Sequence, residues 1–311
     1  MHDEYATGMT YEASRLTFEE SAMGEIVAAI FTTHVPRLMI FGEAERKAYM
    51  GRGVTTLYEA MEKLYRERLA RLDFDTFVVF DTHWFSTIQY VMNASPRLEG
   101  MYTSEEVPEL LHEHEYSYQG DPELASSIAA SAKDTGVRAF ASTYRGMPMH
   151  YPTLVPMAYF NPQRNRRVLS TGVCQIASVQ NDLAFGRAVG EGIGRSNRRV
   201  VLVAAGGLSH RFWEYDAVLD HTGADPVHIT SPENREYDER IMAMFRSGDH
   251  ASVVALAPEY RKRCSPEGRF AHYLMMAGAL GEGKCTSPGV QYGNYEAALG
   301  TGQAIFWFDA K

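Results

Sequence analysis

Three runs of apolar, β-leaning residues each stop at a histidine, and this pattern narrows the folds open to the chain. Glu25 to Thr33 (EIVAAIFTT) ends in His34-Val35-Pro36, where the proline cannot continue a strand in a ladder. Thr76 to Phe80 (TFVVF) runs into Asp81-Thr82-His83-Trp84, and Val200 to Ala205 (VVLVAA) breaks at Gly206-Gly207-Leu208-Ser209-His210. Strands without polar alternation are apolar on both faces and belong to a sheet covered on both sides. Leu57, Met61, Leu64, Leu69 and Leu72 recur near helical spacing and predict an amphipathic helix over 53–72. Further helices are expected over 122–135, capped by Asp121, and over 183–194, 233–247 and 270–280, with strands over 168–174 and 302–308. The expected fold is α/β: a central, mostly apolar sheet covered by helices on both faces, with the active site at strand ends. Residues 1–24 read as a polar N-terminal extension and 25–311 as one catalytic α/β domain.

Composition sets bounds on function. With 45% hydrophobic and 22% charged residues, and no apolar run approaching the roughly 18 residues of a membrane span, neither a membrane nor a disordered class fits. A net charge of -9 argues against a nucleic-acid partner, which needs clustered Lys and Arg to replace counterions. Arg164 to Arg167 and Arg198 to Arg199 precede strand-like runs and read as solvated loops. Cys174, Cys264 and Cys285 show no CxxC spacing, so neither a disulfide framework nor a thiolate metal site is suggested. Met1 to Met23 has no basic region leading into an apolar one, and a cytoplasmic location is expected.

The histidines carry the chemistry. Taken singly, each strand-end histidine reads as structural: a cap at His34, a local Asp-His pair at His83, a tight turn at His210. Three on strand ends of one chain point instead to a shared site. Asp81 stands where it could orient the His83 ring, as metal-bound histidines usually donate their other nitrogen to such a group. His150, in the apolar loop Met147-Pro148-Met149-His150-Tyr151-Pro152-Thr153, would be partly desolvated, which favours a neutral imidazole able to accept a proton near pH 7. His112 and His114 flank Glu113 on different faces of an expected helix and read as solvent-exposed; His221, His228 and His250 lie among turn residues. Two histidines and a carboxylate that leave positions open form the donor set of Fe(II) enzymes that bind substrate and O2 on one metal. Spacing alone leaves the carboxylate open. Trp84, Tyr102, Met149 and Trp213 are candidates for an apolar slot.

At these motifs the chain resembles the class III extradiol ring-cleavage dioxygenases, the protocatechuate 4,5-dioxygenase catalytic-subunit type, and within them the single-chain 3,4-dihydroxyphenylacetate (homoprotocatechuate) 2,3-dioxygenases. The matching stretches include Thr33-His34-Val35-Pro36, Phe80-Asp81-Thr82-His83-Trp84, Glu99 to Ser104, Thr153 to Met157, Leu208 to Phe212, Pro258-Glu259-Tyr260 and Gly300 to Gln303, from about residue 25 to the C-terminus. The resemblance implies a single Fe(II) held by His34, His83 and Glu267 of Ser265-Pro266-Glu267-Gly268, with Glu259, in an apparent helix-end Pro258-Glu259-Tyr260, the weaker alternative carboxylate. It implies that His210 is the distal catalytic histidine and that His150 stands where the protocatechuate enzymes also carry histidine, whereas the homoprotocatechuate enzymes carry glutamate. A substituted, homoprotocatechuate-like catechol and O2 would be the substrates, a muconic semialdehyde the product, and a homo-oligomer the assembly. A hydroxypyridone, protocatechuate or gallate ring is the alternative substrate. A zinc hydrolase on the same histidines and a non-catalytic binding relative are the alternatives in other classes.

Overall fold

The computed structural model describes residues 23–42, 44–46 and 55–310, so nearly all of the extension read over 1–24 lies outside the described residues. In chain order the elements are β1 (Glu25–Thr32), α1 (Leu57–Glu67), β2 (Thr76–Ser86), β3 (Tyr90–Asn93), β4 (Arg97–Tyr102), β5 (His114–Gln119), α2 (Pro122–Asp134), β6 (Ala139–Ser142), α3 (Tyr151–Phe160), β7 (Arg167–Cys174), α4 (Val179–Gly194), β8 (Arg199–Ala205), α5 (Pro232–Ser247), α6 (His250–Cys264), α7 (Ala271–Ala279), β9 (Val290–Ala298) and β10 (Thr301–Asp309). Eight strands form the main sheet in the order β6-β3-β7-β2-β8-β1-β10-β9, and β4 and β5 pair separately as an antiparallel hairpin. Its middle, β7-β2-β8-β1, is parallel, and β10 and β9 add antiparallel strands at one side.

The period-2 geometry of the apolar strands divides their side chains between two cores. Ala29, Phe31, Val78, Phe80, Leu202 and Ala204 face one way and pack with α2, α4, α5, α6 and α7. Ala28, Ile30, Phe77, Val79, Val201 and Val203 face the other way and pack with α1, α3 and the β4-β5 hairpin. Each Val, Leu, Ile or Phe among them taken out of water contributes about 1.5–3 kcal/mol, which is why strands with no polar face belong in the middle of the sheet. Among the described residues no helix is long and apolar enough to cross a membrane.

Local chemistry explains several element ends. Asp121 caps α2 by accepting from the Leu124 N–H at 3.1 Å, and its other oxygen takes Arg198 Nε at 2.6 Å. Arg198 is therefore a partner of a fully buried acid and not a solvated loop residue. The structure departs from expectation at four further places. Strand β2 does not stop at Phe80 but runs on to Ser86, because its pairing with β7 jumps from Asp81↔Gly172 to Phe85↔Val173 and leaves 82–84 as a bulge. Glu259 is not at a helix end: α6 continues through Pro258 to Cys264. His250, expected in a turn, is buried at the start of α6, between the Tyr273 hydroxyl and the Ser287 carbonyl. His112 and His114 do not share a helix, since the chain turns there and His114, half-buried, opens β5.

Candidate metal centre

The site lies where β1, β2 and β8 end side by side. His34 follows β1 in a buried turn closed by Pro36, and His83 stands on the β2 bulge. Asp81 shapes that bulge: its Oδ1 accepts the backbone N–H groups of His83 and Trp84 at 3.0 and 3.1 Å, and its Oδ2 accepts the Thr153 hydroxyl at 2.6 Å. Asp81 therefore holds the backbone of His83 and not, as expected, its ring.

Glu267 arrives from the opposite direction. Ser265 ends α6 in a left-handed conformation, Pro266 pairs with Ser209 beyond β8, and the Glu267 N–H donates to the Leu208 carbonyl at 3.0 Å. Gly268, Arg269 and Phe270 then follow one another at positive φ. Gly268 has two reasons to be glycine, its φ of 52° and a neighbour, Thr82 Cγ2, that would stand 2.7 Å from any Cβ. This turn aims the Glu267 carboxylate at the histidines. Three consecutive left-handed residues, two of them with side chains, are strained backbone of the kind that gathers at functional sites.

The donor atoms of His34, His83 and Glu267 all lie within 4.8 Å of one another. Glu267 Oε1 is 2.9 Å from His34 Nε2, 3.2 Å from His83 Nε2 and 3.0 Å from the Thr82 hydroxyl that donates to it. Oε2 accepts the Gly207 N–H and stands 3.6 Å from His210 Nδ1. Gly207 must be small here, because a Cβ would sit 2.8 Å from Gln303 Nε2 and 3.1 Å from the carboxylate. Burial alone would push the Glu267 carboxyl up, but the His34 and His210 imidazoles and the hydrogen bonds of His34 and His83 hold it well below the usual carboxylate range. For His83, burial opposes the charged ring, yet Glu267 and Glu106 raise it above the ordinary histidine value. His210 goes the other way, lowered chiefly by burial, and its Nδ1 has no hydrogen-bond partner among the described residues. Two imidazoles facing one buried carboxylate oxygen match the donor set of an Fe(II) site with open positions.

His34, His83, Glu267 and His210 thus come together, whereas Glu259 is exposed on α6 and paired with Tyr237 and Arg263. His150 is the residue before α3, half-buried, with its ring toward Trp84 at 6.3 Å between centroids. The residue beside it makes the contacts: the Tyr151 hydroxyl lies 3.1 Å from His83 Nε2 and donates to Glu106 at 2.9 Å, and its ring packs on His83 and His34. Sequence reasoning missed Tyr151, Thr82 and Glu106, and it passed over His272. The last is fully buried beneath Gly206 and pushed down to about 3, first by burial, so it is a neutral packing residue. Adjacency to His83 and His150 was the available signal for Thr82 and Tyr151; Glu106 had none. Of the expected apolar slot, Trp84 and Tyr102 border the site, Met149 is core, and Trp213 stacks on His221. Phe212 instead meets the His210 ring edge-on.

The family model for the catalytic LigB subunit of aromatic ring-opening dioxygenase matches residues 28–301. The chain is 30% identical over 261 residues to a 3,4-dihydroxyphenylacetate 2,3-dioxygenase of Escherichia coli, covering 83% of this chain and 91% of that one. It is 24% identical over 294 residues to a 2-aminophenol 1,6-dioxygenase beta subunit of a Pseudomonas species, covering 91% and 94%. The fold matches the crystal structure of an uncharacterized protein from Escherichia coli K12, with a TM-score of 0.61 at 16% identity over 91% of this chain and 99% of that one.

Proposed function

Because this chain belongs to the family of the catalytic LigB subunit of aromatic ring-opening dioxygenases, and is an extradiol ring-cleavage dioxygenase, we propose that it works with a single Fe(II) held by His34, His83 and Glu267. The observation that carries this reading is the convergence of two imidazole Nε2 atoms on one oxygen of a buried carboxylate, at the ends of three adjacent strands. Bound there, Fe(II) would hold the two ring oxygens and O2 next to each other and relay electrons between them.

The chain's own residues supply position and protons. His34 and Glu267 are buried, so the contacts between them act out of water and are stronger for it. His210 is kept neutral chiefly by burial, and we propose that it takes a proton from a ring hydroxyl and then returns it to a leaving oxygen. His150, beside Trp84 at the rim, is proposed as the second base. Tyr151 and Trp84 border the place where an aromatic ring would lie, and Glu267 keeps its charge without a proton of its own to exchange.

The proposed substrate is a substituted catechol, with 3,4-dihydroxyphenylacetate the first candidate from the 30% relative and an ortho-aminophenol the second from the 24% relative. Ring opening would yield a muconic semialdehyde-type product. We further propose one catalytic domain over 25–311, a homo-oligomeric assembly and a cytoplasmic location. The test is anaerobic loading with Fe(II), then an oxygen electrode against catechols, aminophenols and hydroxypyridones. Uptake of O2 with a yellow product, absent after loading with Zn(II), is expected. No uptake with any of these rings would overturn the reading, and hydrolysis by the Zn(II) form would replace it with a hydrolase.

A further inference from the structure

Of the two imidazoles in the centre, only one has an outer partner among the described residues. His34 Nδ1 is buried with no hydrogen-bond partner among the described residues. His83 Nδ1, by contrast, faces Glu106 Oε1 at 3.5 Å, and Glu106 Oε2 accepts the Tyr151 hydroxyl, which itself lies 3.1 Å from His83 Nε2. One carboxylate therefore reaches both ends of the same ring, directly at Nδ1 and through Tyr151 at Nε2. Glu106 is itself held in place. The buried Ser104 hydroxyl accepts the backbone N–H groups of Glu106 and Val107, both at 3.2 Å, and the Ser104 N–H donates to the Leu111 carbonyl. Asp81 cannot serve instead, since both of its oxygens are taken by backbone N–H groups and by Thr153.

We propose that Glu106 is the positioning residue of the metal centre: it fixes the ring plane and tautomer of His83, with Nδ1–H toward Glu106 and the Nε2 lone pair toward the metal, and it ties Tyr151 to that ring. The inference rests on the metal reading above. A carboxylate on the far nitrogen of a ligating histidine stiffens the ligand and raises its basicity, and losing such a partner commonly weakens metal binding about 10–100-fold. Because the Glu106 side chain is 60% exposed and lies outside both cores, its replacement should leave the fold intact.

The test measures metal, not turnover. Apparent affinity and release rate for Fe(II), and for Co(II) by its visible absorption, are obtained by chelator competition for wild type, Glu106→Gln, Glu106→Ala, Tyr151→Phe and His34→Ala, with unfolding of the metal-free forms followed in parallel. Glu106→Ala should bind about 10–100-fold more weakly and release faster. Glu106→Gln, which keeps an acceptor but loses the charge, should recover part of the loss, and the Co(II) bands should shift in both. Tyr151→Phe should lose less than Glu106→Ala. If both Glu106 variants bind within threefold of wild type while His34→Ala fails to bind, the inference falls and the metal reading stands. A wild-type protein that takes up neither ion overturns both.

Discussion

Burying an ionised carboxylate costs several kcal/mol unless charge and hydrogen bonds compensate it, and Glu267 is met by His34, His83, Thr82 and the Gly207 N–H. Its low proton affinity and the neutrality of His210 divide the labour between a residue that holds charge and one that moves protons. His210→Ala should accordingly lower kcat by roughly 10²–10⁴ while leaving metal content unchanged, read from steady-state kinetics beside metal analysis. Equal loss of metal and activity would assign His210 to the metal instead. At this scale His34 and His83 were legible in the sequence because each interrupts an apolar strand. Glu267 was not set by spacing, since its placement depends on a turn of left-handed residues whose partners lie far along the chain.

Among the elements, the loop after β8 does most of the assembly, giving Gly207 to Glu267 and carrying His210. It is fastened from behind by Asp238 of α5, fully buried, which accepts the Ser209 N–H at 3.0 Å, the Ser209 hydroxyl at 2.7 Å, and the Tyr260 and Tyr295 hydroxyls at 2.6 Å each. Burial outweighs these bonds and pushes Asp238 up to about 6. A carboxyl raised in the folded state contributes stability that is complete below its ordinary range and is lost as pH rises through about 6. Glu267, lowered, contributes with the opposite sign, so Asp238→Asn is the control that isolates the first effect. In urea titrations from pH 4 to 7, wild type should lose stability relative to Asp238→Asn, by up to about 3 kcal/mol, with most of the change spread between pH 4 and 6. A difference independent of pH would sink this account. None of it was visible in the sequence, where Asp238 is one acid among many in a charged helix. The bulge in β2 was equally hidden, because the run TFVVF looks complete before the strand has ended.

For the molecule as a whole, the centre joins β1, β2, β8 and the turn before α7, so a metal bound to the folded state alone links elements far apart in sequence. At 100 times its dissociation constant such an ion adds about 2.7 kcal/mol. Calorimetry should show Tm rising by several degrees with Fe(II) or Co(II) under anaerobic conditions, and no rise for His34→Ala. The sequence by itself determined the α/β class, the two-faced sheet and the placing of His34 and His210 beyond the ends of apolar strands, since these follow from hydrophobic period and from proline and glycine at strand ends, which are local properties. Only the tertiary structure decided that Glu267 faces those histidines, that Asp81 holds backbone where Glu106 holds the ring, and that Tyr151, not His150, touches His83. Apart from the local bonds of Asp81, those are contacts between residues 23 to 233 positions apart, fixed by strand register, a bulge and strained turns, and no spacing rule along the chain encodes them.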